Sequence, residues 1–243
     1  MPTQTATLAV FHITHWKAGS QWVQKVMQRV APERFVEQRA DHSHVLKEAI
    51  RPDGVYSPVY MRRTPFEAAV KIPHKRFVVI RDLRDSLVSW YFSLRGSHGT
   101  ETNGIVRDFR SELGRLDEAE GLRYLIRERL ADMAGLQRDW LRPGELVMRY
   151  EDMIANEFGS FRRVCDHCEI PMPDASLRQV VEACTFERLT GGRKRGEESR
   201  GAHYRKGVAG DWREHFDDAT KGIFKEKYGP LLIATGYEKD DNW

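Results

Sequence analysis

The stretch "TLAVFHITHWKAGSQWVQKVMQRV", residues 7–30, lays out three pieces in order. Residues 7–14 are short and apolar with threonine and valine, the pattern of a buried strand. "HWKAGSQW", residues 15–22, places Gly19 between Lys17 and Ser20. From Ser20, a suitable N-cap, Trp22, Val23, Val26, Met27 and Val30 fall at helical spacing. A strand that runs through a glycine loop into a helix can hold a phosphate. The helix N-terminus aims N–H groups and a positive dipole end at an anion, and glycine lets that anion approach the backbone. A Walker A loop, G-x-x-x-x-G-K-[ST], would place the lysine after the glycine; here it comes before, so that motif is not matched.

Outward from this stretch, "GVYSPVYM" (54–61), "RFVVI" (76–80) and "ELVMRY" (145–150) read as three more strands. Helical patterns separate them: a short one with Pro65 in its first turn, one after Asp85, and several pieces over 105–141 broken near Gly114, Gly121 and Gly135. Two more are expected at 157–168 and 174–184. Apolar strands alternating with helices predict an α/β fold, one domain over 1–243, with a central parallel sheet flanked by helices and a P-loop-like opening. Ligands of such sheets bind beyond the carboxyl ends of the strands. Segments 15–22, 81–89 and 150–152 fall there.

With 40% hydrophobic and 31% charged residues, the chain has an ordinary soluble balance. Its 39 basic and 36 acidic residues give +3, too little for a general polyanion binder, so no nucleic-acid partner is expected. Three cysteines exclude a disulfide framework and suit a reducing compartment. No apolar run approaches the ~18 residues of a membrane span. The N-terminal segment has no basic lead before its apolar stretch, so no signal peptide is expected and the chain reads as cytoplasmic.

Two further clusters suit an anion. In "IRDLRDSLVSWY" (80–91), Arg81 ends a strand and Ser89 lies in the next helix, a forked donor with a hydroxyl. The plainer reading pairs Arg81 with Asp82 or Asp85 at a helix cap. In "HYRKGVAGDWREHF" (203–216), Arg205 and Lys206 precede Gly207, then come Gly210 and the aromatic Trp212 and Phe216. These end a run of seven basic residues from Arg188 to Lys206, which could equally be a solvated surface loop.

Together the clusters resemble the sulfotransferases that use 3′-phosphoadenosine 5′-phosphosulfate. That family's T-Y-P-K-S-G-T-T-W loop is similar to "THWKAGSQW", and its R-N-P-x-D-x-x-x-S to "RDLRDSLVS". Its R-K-G-x-x-G-D-W stands intact as Arg205 to Trp212, and "YED" (150–152) and "CTF" (184–186) match further elements, all in family order. The resemblance implies that Lys17, Ala18, Gly19, Ser20 and Gln21 surround the 5′-phosphosulfate. Trp22 and Phe186 would pack near the adenine, and Tyr150 would border the nucleotide. Arg81, Ser89 and Arg205 would hold the 3′-phosphate, with Lys206 and Gly207 in the same loop. It implies in-line transfer to a hydroxyl or amine of a small molecule, with adenosine 3′,5′-bisphosphate as product, Lys17 catalytic and no metal required.

The match breaks at the base. The family's K-T-H-x-P is replaced by "MRRTP" (61–65), with Arg63 where histidine is expected, and arginine cannot act as a base near neutral pH. "RADHSH" (39–44) offers His42 as the leading candidate, with Asp41 and His44; His15, His12 and Glu67 are others. Arg62 and Arg63 could recognise an anionic acceptor or simply be solvated. "CDHC" (165–168) lacks a second ligand pair for zinc, and its cysteines share a helix face suited to packing. The dimer motif of many relatives is not kept, since Asp217 and Asp218 stand in "REHFDDATKG" where threonine and valine would fall. Two other readings stay open: a non-catalytic protein binding the bisphosphate, and an ATP-dependent phosphotransferase. The acceptor is left undefined.

Overall fold

The computed structural model describes residues 8–37, 49–97 and 104–243. Four parallel strands form one sheet in the order β2-β1-β3-β4, where β1 is Ala9–Thr14, β2 Val55–Val59, β3 His74–Ile80 and β4 Val147–Arg149. The chain is α/β, with this sheet flanked by helices, as the alternation of patterns predicts. Every residue of β1 and β2 is buried, which explains why they read as continuous apolar runs rather than as alternation. Pro58 is tolerated in β2 because that strand lies at the sheet edge.

The contacts divide the chain into two compact units. Residues 1–80 with 139–185 hold the sheet and the helices α1 (Ser20–Val30), α2 (Arg63–Ala69), α7 (Tyr150–Ala155), α8 (Glu157–His167) and α9 (Asp174–Ala183). In α1 the expected apolar stripe is the buried face: Trp22, Val23, Val26, Met27 and Val30. Trp22 packs edge-on against Phe161 of α8, their centroids 5.2 Å apart. Thr14 Oγ1 donates to Val79 O at 2.9 Å, tying the ends of β1 and β3 where the opening loop leaves the sheet.

The other unit, residues 81–138 with 186–243, is helical. It contains α3 (Leu83–Phe92), which continues into a π turn over Ser93–Ser97, then α4 (Gly104–Gly114) and α5 (Glu118–Glu128). Most of α6 (Ala131–Trp140) follows, with α10 (Phe186–Leu189) and α11 (Asp218–Ala234). Short polar side chains cap these helices: Asp82 accepts from Arg84 N, Asp117 from Glu120 N and Asp217 from Thr220 N. Asp217 and Asp218, which break that dimer motif, thus start a helix here. The buried Arg84 guanidinium lies over the Trp212 and Trp243 rings, 4.0 and 4.4 Å from their centroids, and pairs with Asp82 and Glu238.

Candidate active site

The opening loop sits at the carboxyl end of β1, in the sheet-bearing unit. Its turn needs two left-handed residues, Lys17 at φ 67° and Gly19 at φ 78°. For lysine that backbone costs ~1–2 kcal/mol, and such strain clusters at ligand clamps. Gly19 is required for a second reason: the Tyr150 ring covers it, and a Cβ there would lie 2.7 Å from Tyr150 Cδ2 and Cε2. The N-cap of α1 is therefore Gly19 and not Ser20, which is already helical. Trp22 N and Val23 N donate to Gly19 O at 3.0 and 3.1 Å. The N–H groups of Ala18 to Gln21 precede those first bonds, as anion-binding helix ends require. Lys17 lies half-buried beside them.

Ser20 has a partner that the sequence did not advertise. Tyr60, the residue after β2, donates its hydroxyl to Ser20 Oγ at 2.8 Å. Trp22 is buried between Phe161 and Tyr150, whose ring meets it edge-on at 6.1 Å. Arg62 and Arg63 are engaged in ion pairs, Arg62 with Asp139 and Arg63 with Glu67 and Glu145.

The helical unit gathers the two later clusters. Arg81 is buried; Gln137 Nε2 donates to its carbonyl at 2.7 Å, and its Nη2 donates to Val208 O at 3.1 Å. Asp85 lies 3.7 Å from the same guanidinium and accepts the N–H groups of Gly210 and Trp212 at 2.7 and 3.0 Å. Burial raises the Asp85 carboxyl above its ordinary range, with Arg81 opposing. The plainer expectation for Arg81 holds in part: it pairs with Asp85, while Asp82 caps α3. Yet Asp85 does more than pair, since it clasps the Arg205–Trp212 stretch. The signal for it was the aspartate of the R-N-P-x-D-x-x-x-S pattern. Ser89 lies on α3, part-exposed.

Arg205 donates to Glu198 at 2.5 Å and to Asp211, and its guanidinium stacks over Phe92 at 4.8 Å. Its Nε is a buried donor with no protein partner among the described residues. Lys206 reaches Asp211 and Glu214 at 2.6 and 2.7 Å. Burial alone would raise the Asp211 carboxyl, but bonds from His215, Arg205 and Lys206 pull it well below the ordinary range. Asp211, then Glu118, raise the His215 imidazole against its burial. Gly207, at φ 69°, lies against Phe186, where a Cβ would come within 2.6 Å of the ring. The Arg193 and Arg195 guanidinium carbons sit 5.4 and 5.5 Å from that ring's centroid. Both donate to backbone carbonyls of residues 204–207, so they build the loop rather than decorate a solvated one.

Among the candidate bases, His12 is buried, stacked on Phe77 and bonded to Ser57, and burial lowers its pKa to about 3. His15 is buried with Nδ1 2.8 Å from Trp16 O. Glu67 is exposed and paired with Arg63. Asp41, His42 and His44 lie outside the described residues. Cys165 and Cys168 are buried, and burial pushes their thiols up to about 11 and about 12, which disfavours the thiolates zinc needs. Asp211, Glu214 and His215 approach one another as metal ligands would, but Arg205 and Lys206 already neutralise that group.

Comparison with known proteins bears on the chain as a whole. A family model described as a sulfotransferase domain matches residues 9–236. Sulfotransferase 6B1 of Danio rerio is 23% identical over 217 residues, covering 88% of this chain and 64% of that protein. Sulfotransferase 2B1 of Homo sapiens is 26% identical over 247 residues, covering 90% of this chain and 64% of that protein. The chain thus spans less than two thirds of the length of either relative. Among solved structures, mouse sulfotransferase SULT7A1 complexed with PAP superposes with a TM-score of 0.67 at 15% identity, covering 95% of this chain and 88% of that one. Retinol dehydratase in complex with androsterone and inactive cofactor PAP gives 0.59 at 17% identity, covering 92% and 80%. At such identities the structural likeness speaks for the fold.

Proposed function

The chain belongs to the sulfotransferase domain family, whose model matches residues 9–236, and from that premise we propose that it moves a sulfuryl group from 3′-phosphoadenosine 5′-phosphosulfate to a hydroxyl or amine of a small molecule. The observation that carries the reading is the bond from Arg81 Nη2 to Val208 O, which joins two basic motifs far apart in the chain into one cluster. Because the family model crosses both compact units, we treat them as one functional domain.

The donor set suits the nucleotide. Lys17, the first-turn N–H groups of α1 and the Ser20 hydroxyl form a cradle for the 5′-phosphosulfate, with Gln21 at its rim. Arg81, Ser89, Arg205, Lys206 and Gly207 take the 3′-phosphate; the orphaned buried Arg205 Nε fits an anionic oxygen. Phe186, buried against Gly207 between two guanidinium groups, packs near the adenine in this reading, with Trp22 and Tyr150 at the loop end. Bound there, the donor supplies an activated sulfuryl group: the acceptor oxygen or nitrogen bonds to sulfur as the bridging S–O bond breaks, its electron pair leaving with the phosphate. Lys17 and the α1 dipole stabilise the charge that grows on that departing oxygen, preorganised electrostatics of the kind that dominates many barriers. The acceptor's proton goes to a base, for which His42 is the candidate on its sequence position, unless the acceptor is acidic enough to need none. No step needs a metal. The buried thiols suit a reducing cytoplasm, and among the described residues no helix is long and apolar enough to cross a membrane. The family match favours this reading over ATP-dependent phosphotransfer.

The test is incubation with sulfur-labelled donor and a panel of phenols, alcohols, amines and sugars. Label in any acceptor above the no-enzyme control supports transfer. Tight bisphosphate binding with no labelling and no donor hydrolysis would make the protein a non-catalytic binder.

A further inference from the structure

Tyr60 stands outside every motif used so far, yet its side chain touches both flanks of Lys17. Its hydroxyl donates to Ser20 Oγ at 2.8 Å. Its ring stacks on Trp16 with centroids 5.7 Å apart and planes 25° from parallel. It reaches them because β2 pairs beside β1, so the residue following β2 lies next to the loop that leaves β1. Burial raises the Tyr60 pKa, partly offset by the Ser20 bond, so the phenol keeps its proton throughout the physiological range and serves as donor rather than base.

A serine hydroxyl has one proton and two acceptor sites. With Tyr60 donating into one of those sites, the Ser20 proton remains to be donated elsewhere, and the O–H rotor loses much of its freedom. Ser20 is buried at the first position of α1, beside the N–H groups that would face an anion. Linked hydroxyls also polarise one another, which strengthens the outer bond. We propose that Tyr60 is a positioning residue that sets the Ser20 hydroxyl as a donor to the 5′-phosphate of the bound nucleotide. This rests on the nucleotide reading above and adds to it a role that no family motif assigns.

The test is a double-mutant cycle on the affinity for adenosine 3′,5′-bisphosphate, using the wild type, Tyr60→Phe, Ser20→Ala and the double variant. Tyr60→Phe keeps the ring on Trp16 and removes one oxygen, so thermal melting checks that the fold is unchanged. Each single variant is expected to bind roughly 3- to 10-fold more weakly, the range of one hydrogen bond. The double variant should be no weaker than Ser20→Ala by more than about twofold, because Tyr60 acts through Ser20. Adenosine 3′-monophosphate, which lacks the 5′-phosphate, should bind wild type and Tyr60→Phe alike. Multiplying losses in the double variant, an unchanged Tyr60→Phe, or an equal loss toward the monophosphate would overturn the inference while leaving the nucleotide site standing. A wild type that does not bind the bisphosphate would overturn the nucleotide reading itself, and this role with it.

Discussion

Asp85 offers the sharpest structural prediction. It is buried and accepts two backbone N–H groups from the Arg205–Trp212 stretch, at 2.7 and 3.0 Å, with Arg81 3.7 Å away. Asp85→Ala removes both acceptors and leaves one buried donor, one part-buried donor and a guanidinium without their carboxylate. Stranding a buried donor costs ~1–3 kcal/mol each, and removing one partner of a buried charge pair ~3–5 kcal/mol in all. The second figure already contains part of the first, so the expected loss is ~3–5 kcal/mol. Asp85→Asn keeps the shape and one carbonyl acceptor. It strips Arg81 of the same charge but strands one N–H where Asp85→Ala strands two, so its loss should be ~1–3 kcal/mol smaller. Urea unfolding, followed by tryptophan fluorescence that includes Trp212, reads both. At a slope of ~3 kcal/mol per molar, Asp85→Ala should lower the midpoint by roughly 1–1.7 M, and Asp85→Asn by roughly 0.3–1 M less than that. A midpoint unchanged in Asp85→Ala would refute the clasp. Equal losses in the two variants would refute the claim that acceptor geometry, not charge, does the holding.

Other outcomes follow from the same contacts. Lys17→Ala should slow sulfuryl transfer about a hundredfold or more, the cost of one preorganised donor at ~3 kcal/mol, while the melting temperature stays within a degree or two; near-normal turnover contradicts its role. Gly207→Ala forces a side chain into φ 69° and against Phe186 at 2.6 Å, so it should lower the melting temperature by several degrees and weaken bisphosphate binding together. His215 gains stability only as the imidazolium, between Asp211 and Glu118. Its folded pKa is raised, so that stabilisation is complete below ~6.5 and disappears as pH climbs through the folded value. The stability difference between wild type and His215→Gln, measured by urea unfolding, should therefore shrink between pH 6 and pH 9; a difference that grows with pH is inconsistent with the pairing.

Much of this arrangement was legible in the chain itself, for physical reasons. The strands of the sheet announce themselves because β1 and β2 are buried on both faces and so cannot carry polar residues freely. The α1 face was readable from period alone, and Arg81 and Arg205 from residue types that recur where phosphate is held. What stayed hidden depends on register and tertiary approach. Tyr60 reads as the tail of an apolar strand, and only the pairing of β2 beside β1 brings it to Ser20. Ser20 looks like an N-cap, but the left-handed Gly19 beneath Tyr150 takes that position and frees Ser20 for another bond. Asp85 looks like a cap as well, and Asp82 displaces it. The run from Arg188 to Lys206 reads equally as solvated charge or as an anion cluster, and Arg193 and Arg195 spend donors on carbonyls of the loop they sit beside. Charge content shows in a sequence; which acceptor each charge meets does not.

Recognition of a nucleotide phosphorylated at both ends is the claim on which the chemistry stands, and titration calorimetry of the purified wild type measures it directly. Adenosine 3′,5′-bisphosphate should bind at least tenfold more tightly than adenosine 5′-monophosphate, since Arg81 and Arg205 add charge-assisted bonds of ~1.5–3 kcal/mol to the 3′-phosphate. Equal affinity for the two nucleotides, or a preference for ATP over the bisphosphate, would contradict it.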